Sequence, residues 1–174
     1  MGEEGILGDE AEIGLNKLQI DFPLEVSLTE SINWKMSPVE VPSLTEKQME
    51  MVTKGIRKAK LKLNDITNDI EVELNVNLYL ANIPNARQMD TKDVKTELFN
   101  KEVFREISLS QGSNQDRGLV LTKKEAHIFT NDNLYFGIKL TIPKTGDNET
   151  YSIKSGDIFE IGKVYSTITA KVNQ

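Results

Sequence analysis

The chain has no cysteine among its 174 residues, and it has one histidine and one tryptophan. Without cysteine there is no disulfide, no thiolate metal site and no cysteine nucleophile, and the redox compartment stays open. His127 alone cannot supply the several nitrogen or sulfur ligands that a usual zinc site wants. A Ser-His-Asp arrangement lacks its nucleophile turn, because no G-x-S-x-G segment occurs. Basic residues are the minority, with 21 Lys and Arg against 27 Asp and Glu and a net charge of −6. With no basic stripe to release phosphate counterions, nucleic acid is not an expected partner. Long apolar runs are missing as well. None approaches the roughly 20 residues needed to cross a bilayer, so membrane insertion is not expected. The stretch "SQGSNQDRG", residues 110–118, lacks the spacing of a phosphate loop and reads as a hairpin connection.

What the chain does have is alternation. In "NDIEVELNVNLYLANI", residues 68–83, Ile70, Val72, Leu74, Val76, Leu78 and Leu80 stand at every second position, with Glu71, Glu73, Asn75, Asn77 and Tyr79 between them. The same period places Leu24, Val26, Leu28, Ile32 and Trp34 on one parity, then Ala59, Leu61 and Leu63, then Leu134, Phe136, Ile138, Leu140 and Ile142. Near the end, Val164, Ile168, Ala170 and Val172 follow, with Ser166 in phase. Period-2 segments of this kind are antiparallel strands with one buried face. "NKLQIDF", "EVFREISLS" and "GLVLT" complete a set of about eight strands separated by turn-forming residues. The expected fold is all-β: an antiparallel sandwich, immunoglobulin-like or jelly-roll-like, with two short helices.

Those helices are marked by their caps. "PSLTEKQMEMVTKG" offers Ser43 or Thr45 as N-cap, Glu46 three residues after Ser43, and Gly55 as the stop, with Leu44, Met51 and Val52 on the buried side. "LTKKEAHIFTND" pairs Thr122 with Glu125 in a capping box and runs for about two turns. Proline and polar residues gather in "MSPVEVPS", residues 36–43. This divides the chain into an N-terminal segment, residues 1–43, holding a glycine-rich acidic start plus one or two strands, and a sandwich core over residues 44–174. At 174 residues, one such core can bury roughly 70% of the unfolded surface.

Several residues invite a functional reading. Asp65, Asp69 and Glu71 cluster in "NDITNDIE", and Asp147, Glu149 and Asp157 in "TGDNETYSIKSGD". Paired acids can serve glycoside hydrolysis or hold calcium, but both clusters fall in expected turns without EF-hand spacing, and solvated loop charge is the default. His127 reads as structural or superficial, Trp34 as core. The acceptor pattern "NET" at Asn148 is attributed to chance. Tyr79, Tyr135 and Tyr165 all fall on the polar parity of their strands. They are the candidate ligand or partner face, as a stacking platform for sugars or simply as cross-strand cover. No catalytic residue, metal or cofactor is assigned.

The order of elements from about residue 56 to 174 resembles a β-sandwich module of bacterial cell-surface and envelope proteins, of the type found in Bacteroidetes and Thermotogae. It is carried by "KAKLKL", "IEVELNVNLYL", "EISLS", the capped "LTKKEAHIF", "LYFGIKLTI" and "SIKSGDIFEIGKVYSTITAKV". The resemblance implies an exported, non-catalytic structural or adhesive module, extracellular or in the envelope, that works through protein partners or self-assembly. A carbohydrate- or ligand-binding sandwich and a phage or virion structural component are the alternatives.

Overall fold

The structure, a computed structural model, describes residues 11–13, 18–21, 28–114, 116–144 and 157–170. Eleven strands among these residues form two antiparallel sheets, where the sequence pattern marks about eight. The first sheet is built on two 13-residue strands, β5 (Ile56–Asn68) and β11 (Ile158–Ala170). On the far side of β11 lie β1 (Ala11–Ile13) and β2 (Leu18–Asp21); on the far side of β5 lie β8 (Ser113–Asn114) and β9 (Arg117–Leu121). The second sheet centres on β6 (Leu74–Asn82) and β10 (Leu134–Ile142). Beside β10 lie β3 (Ile32–Lys35) and β4 (Val39–Glu40), and beside β6 lies β7 (Arg105–Leu109). The described residues of the segment 1–43 thus contribute four short strands, two to each sheet.

The alternation does what its period requires. Leu134, Phe136, Ile138, Leu140 and Ile142 of β10 are buried, as are Leu74, Val76, Leu78 and Leu80 of β6 and Ala59, Leu61 and Leu63 of β5. All pack into one core between the sheets. Burying each leucine or isoleucine contributes about 1.5–3 kcal/mol. Halfway along the first sheet the phase slips in both central strands at once. Leu61 and Leu63 give way to Ile66, and Phe159 and Ile161 give way to Val164, yet all of them are buried. The slip occurs where Asp65, at φ 53, lies beside Gly162. A left-handed residue re-aims β5, and Asp tolerates that conformation better than most. A Cβ on Gly162 would stand 2.7 Å from the Asp65 Cβ, so β11 matches the kink with the one residue that has none.

The alternating stretch 68–83 is not one strand, although its parity suggests so. β5 ends at Asn68 and β6 starts at Leu74, with the chain passing from one sheet to the other between them. Ile70 and Val72 keep their buried parity through the crossover. Asn68, fully buried, organises it: its amide nitrogen donates to the carbonyls of Val72 (3.1 Å) and Leu109 (2.9 Å), and its Oδ1 accepts from the Ile70 N–H (3.1 Å).

Three α-helices occur among the described residues: α1 (Glu46–Lys54), α2 (Thr91–Phe99) and α3 (Lys123–Ala126). Of the two candidate N-caps of α1, Thr45 is the one used, and its partner is Gln48 where Glu46 is expected. The Gln48 N–H donates to Thr45 Oγ1 (3.3 Å) and the Thr45 N–H to Gln48 Oε1 (2.8 Å), so the capping box is Thr45–Gln48 where the sequence suggests Ser43–Glu46. Val52 is buried and Leu44 half-buried on its inner side. The Thr122–Glu125 capping box of α3 is present, and a 3-10 turn over His127–Thr130 makes up the second of its two turns. His127 is exposed. The helix that sequence reasoning did not foresee is α2, and it changes the outer face of the second sheet.

Candidate functional site

The outer face of the second sheet carries the alternate residues of β6 and β10, so its character follows from Asn75, Asn77, Tyr79 and Ala81 opposite Thr141, Lys139, Gly137 and Tyr135. It divides in two. At one end the polar residues tie to one another across strands: Thr141 Oγ1 donates to Asn33 Oδ1 (2.9 Å), and Ser108 Oγ to Asn75 Oδ1 (3.1 Å). At the other end α2 lies on the sheet. Its sequence supplies a cap in Asp90, whose side chain accepts from the Asp93 N–H (2.8 Å), and an apolar stripe in Val94, Leu98 and Phe99. That stripe packs with Tyr79, Ala81 and Tyr135 in a cluster separate from the main core. Gly137 makes the close approach possible, since a Cβ there would lie 2.7 Å from Leu98 Cδ2. The Tyr79 and Phe99 rings meet edge to face with centroids 4.9 Å apart. Lys95 Nζ donates to the Lys35 carbonyl (2.7 Å), and Lys35 Nζ stands 5.2 Å from the Phe99 ring centroid.

The three tyrosines therefore do not form one exposed platform. Tyr79 and Tyr135 are neighbours on the second sheet, but α2 covers them, leaving 6% and 9% of their surfaces accessible. Tyr165 is half-buried on the outer side of the first sheet, on the opposite side of the sandwich. There its hydroxyl accepts from Asn64 Nδ2 (3.3 Å), and Lys62 Nζ lies 5.2 Å from its ring centroid. Polar parity identified the outer faces correctly. It carried no information on which sheet, or on a helix above it.

Of the two tyrosines under α2, Tyr135 borders a surface cleft. It lines a cleft of about 340 Å3 between β4, the 3-10 turn Ala86–Gln88 and the start of α2, with Met89 and Val94 as apolar wall. At the mouth, Arg87 Nη2 and Glu40 Oε1 stand 3.5 Å apart, both exposed. The Tyr135 hydroxyl has no hydrogen-bond partner among the described residues. Burial pushes its pKa above the usual phenol value, the Glu40 carboxylate adds to that, and Arg87 opposes it.

A second, wider groove of about 500 Å3 runs between the end of β6, residues 101–104 and α3. Its polar floor is occupied: Arg105 Nη2 pairs with Glu125 Oε1 at 2.5 Å, and Arg105 Nη1 donates to the Phe104 carbonyl (2.7 Å). Glu125 Oε2 is held by the Thr122 N–H (2.7 Å) and hydroxyl (2.8 Å). The Thr122 backbone bond is the main reason its pKa falls below the usual carboxylate value, partly offset by burial and helped by Arg105. This is a structural clasp between α3 and β7.

Among the acids singled out from sequence, Asp65, Asp69 and Glu71 are exposed, and Asp147 and Glu149 lie outside the described residues. No three carboxylate or imidazole groups converge among the described residues. Trp34 departs from its expected place in the core. It keeps the inward parity opposite Leu140, but β3 is terminal in its sheet among the described residues, and Trp34 and Ile32 remain 39% and 40% exposed.

No family model matches the chain, and no curated protein matches it. Among the solved structures it matches is a "recombinantly expressed latent aurone synthase (polyphenol oxidase)", with 12% identity and a TM-score of 0.36 over 96% of this chain. The chain spans 28% of that protein's length, and a likeness at this score carries no argument.

Proposed function

We propose that the chain is a non-catalytic β-sandwich module that acts through protein contacts, as a structural or adhesive unit of a bacterial cell surface or envelope. The observation that carries the reading is strand β3, terminal in its sheet among the described residues, which presents Ile32 and Trp34 at 40% and 39% exposure. An isolated exposed leucine needs no explanation, but a tryptophan and an isoleucine side by side on a terminal strand are suited to burial by a partner. The tying of polar side chains into caps, ladders and clasps fits the same reading, since such groups serve rigidity.

The test is the mass of the full chain by size-exclusion chromatography with light scattering across a concentration series, alongside Ile32→Ser/Trp34→Ser. Assembly that grows with concentration and disappears in the double variant supports self-association through β3. A monomer at every concentration overturns it.

A further inference from the structure

We propose that the cleft beside Tyr135 is a saccharide site that receives one pyranose ring by a vicinal pair of hydroxyls. The chemistry begins with the mouth. Arg87 and Glu40 make a single contact at 3.5 Å, well beyond the 2.7–2.9 Å of a good charge-assisted bond, so most donors of the guanidinium and most lone pairs of the carboxylate stay available. A charged ligand suits this pair badly. An anion drawn to Arg87 meets Glu40, and a cation drawn to Glu40 meets Arg87. A neutral group that both accepts and donates satisfies the two together, and adjacent ring hydroxyls do this, one accepting from the guanidinium while the other donates to the carboxylate.

The rest of the cleft agrees. The Tyr135 hydroxyl, on a residue more than nine-tenths buried, faces the same cleft without a partner and can take a third polar contact. The hydroxyl oxygen is not itself sealed from solvent, so a ligand in the cleft can reach it. Met89 and Val94 provide an apolar wall for the C–H face of the ring. The volume, about 340 Å3, holds one ring and is at the small end of ligand sites. With no exposed aromatic face to stack on, binding is weak, with a Kd in the millimolar range. Neither Ile32 nor Trp34 lines the cleft, and the site does not depend on self-association.

The experiment is a nitrogen-15 correlation titration of the full chain with methyl α-mannopyranoside and methyl β-glucopyranoside. Tetrahydropyran-2-methanol, which has the ring without the vicinal diol, is the control. Saturable shifts confined to the amides of residues 39–41, 86–94 and 134–136, with a Kd of a few millimolar for at least one glycoside and none for the control, are expected. Tyr135→Phe keeps the buried ring and loses the hydroxyl; it and Arg87→Ala should each weaken binding about fivefold or more, while Trp34→Ser leaves it unchanged. Unchanged spectra outside the cleft show that each variant is folded. No saturable shift up to about 100 mM, an equal response to the control, or wild-type binding by both cleft variants overturns the proposal.

Discussion

Replacing Asn68 by alanine tests the account of how the chain passes between its sheets. The side chain is fully buried and makes three hydrogen bonds, to the Val72 and Leu109 carbonyls and from the Ile70 N–H. Alanine removes all three partners without admitting water, and each stranded buried group costs about 1–3 kcal/mol. Because the Asn68 backbone carbonyl still accepts from the Gly112 N–H (2.7 Å) and the turn can relax, the expected loss is about 3–5 kcal/mol. That is about a third to a half of a total stability on the order of 10 kcal/mol. Urea unfolding followed by circular dichroism reads it as a lowered midpoint at unchanged slope. Asn68→Asp sharpens the test. It keeps an acceptor for Ile70 but aims a carboxylate at two carbonyls, so its folded pKa rises above the unfolded value of about 3.9. Its stability is then greatest below that pH and falls as pH rises through the folded pKa, whereas the alanine variant shows no such added dependence. A loss under about 1 kcal/mol in Asn68→Ala would refute the reasoning, because those bonds would then be replaceable by water.

Other consequences follow from the same geometry. Gly162→Ala drives its Cβ to 2.7 Å from the Asp65 Cβ and should cost about 1–3 kcal/mol, and adding Asp65→Gly should recover most of it; simple additivity in the double-mutant cycle would contradict a direct clash. Glu125 has a lowered pKa in the folded state, so the stability it lends is present above its unfolded pKa and lost as pH falls through the folded one. Glu125→Gln keeps the cap but not the charge on Arg105, and its urea midpoint should lie below wild type at neutral pH and converge with it in acid. A gap that is constant with pH would assign the effect to packing. Asn77 Oδ1 is buried without a partner on the outer face of β6, and Asn77→Val, which removes that acceptor and suits a strand, should stabilise the protein by about 1 kcal/mol; a destabilised variant would show the oxygen to be satisfied.

The sequence by itself determined the strands of the core and their inward faces. A side-chain period of two leaves no choice once one face must be dry, which is why Leu61, Leu78, Phe136 and Val164 are all buried on the parity they show in the sequence. Local chemistry also sufficed at α3, where Thr122 and Glu125 interact three residues apart. α2 had signals too, in Asp90 as cap and in the spacing of Val94 and Leu98. Its stripe is short, however, and what stabilises it is the seat offered by Tyr79, 15 residues before Val94, and by Tyr135 and Gly137, 41 and 43 residues after it. Tertiary structure alone decided the rest. It put Tyr165 on the opposite sheet from Tyr79 and Tyr135, left Trp34 at an edge despite its inward parity, and brought Glu40, Arg87 and Tyr135 around one cleft. Alternation says which side of a strand is wet. Which strands become neighbours, and what lies above them, depends on long-range packing that no local period records.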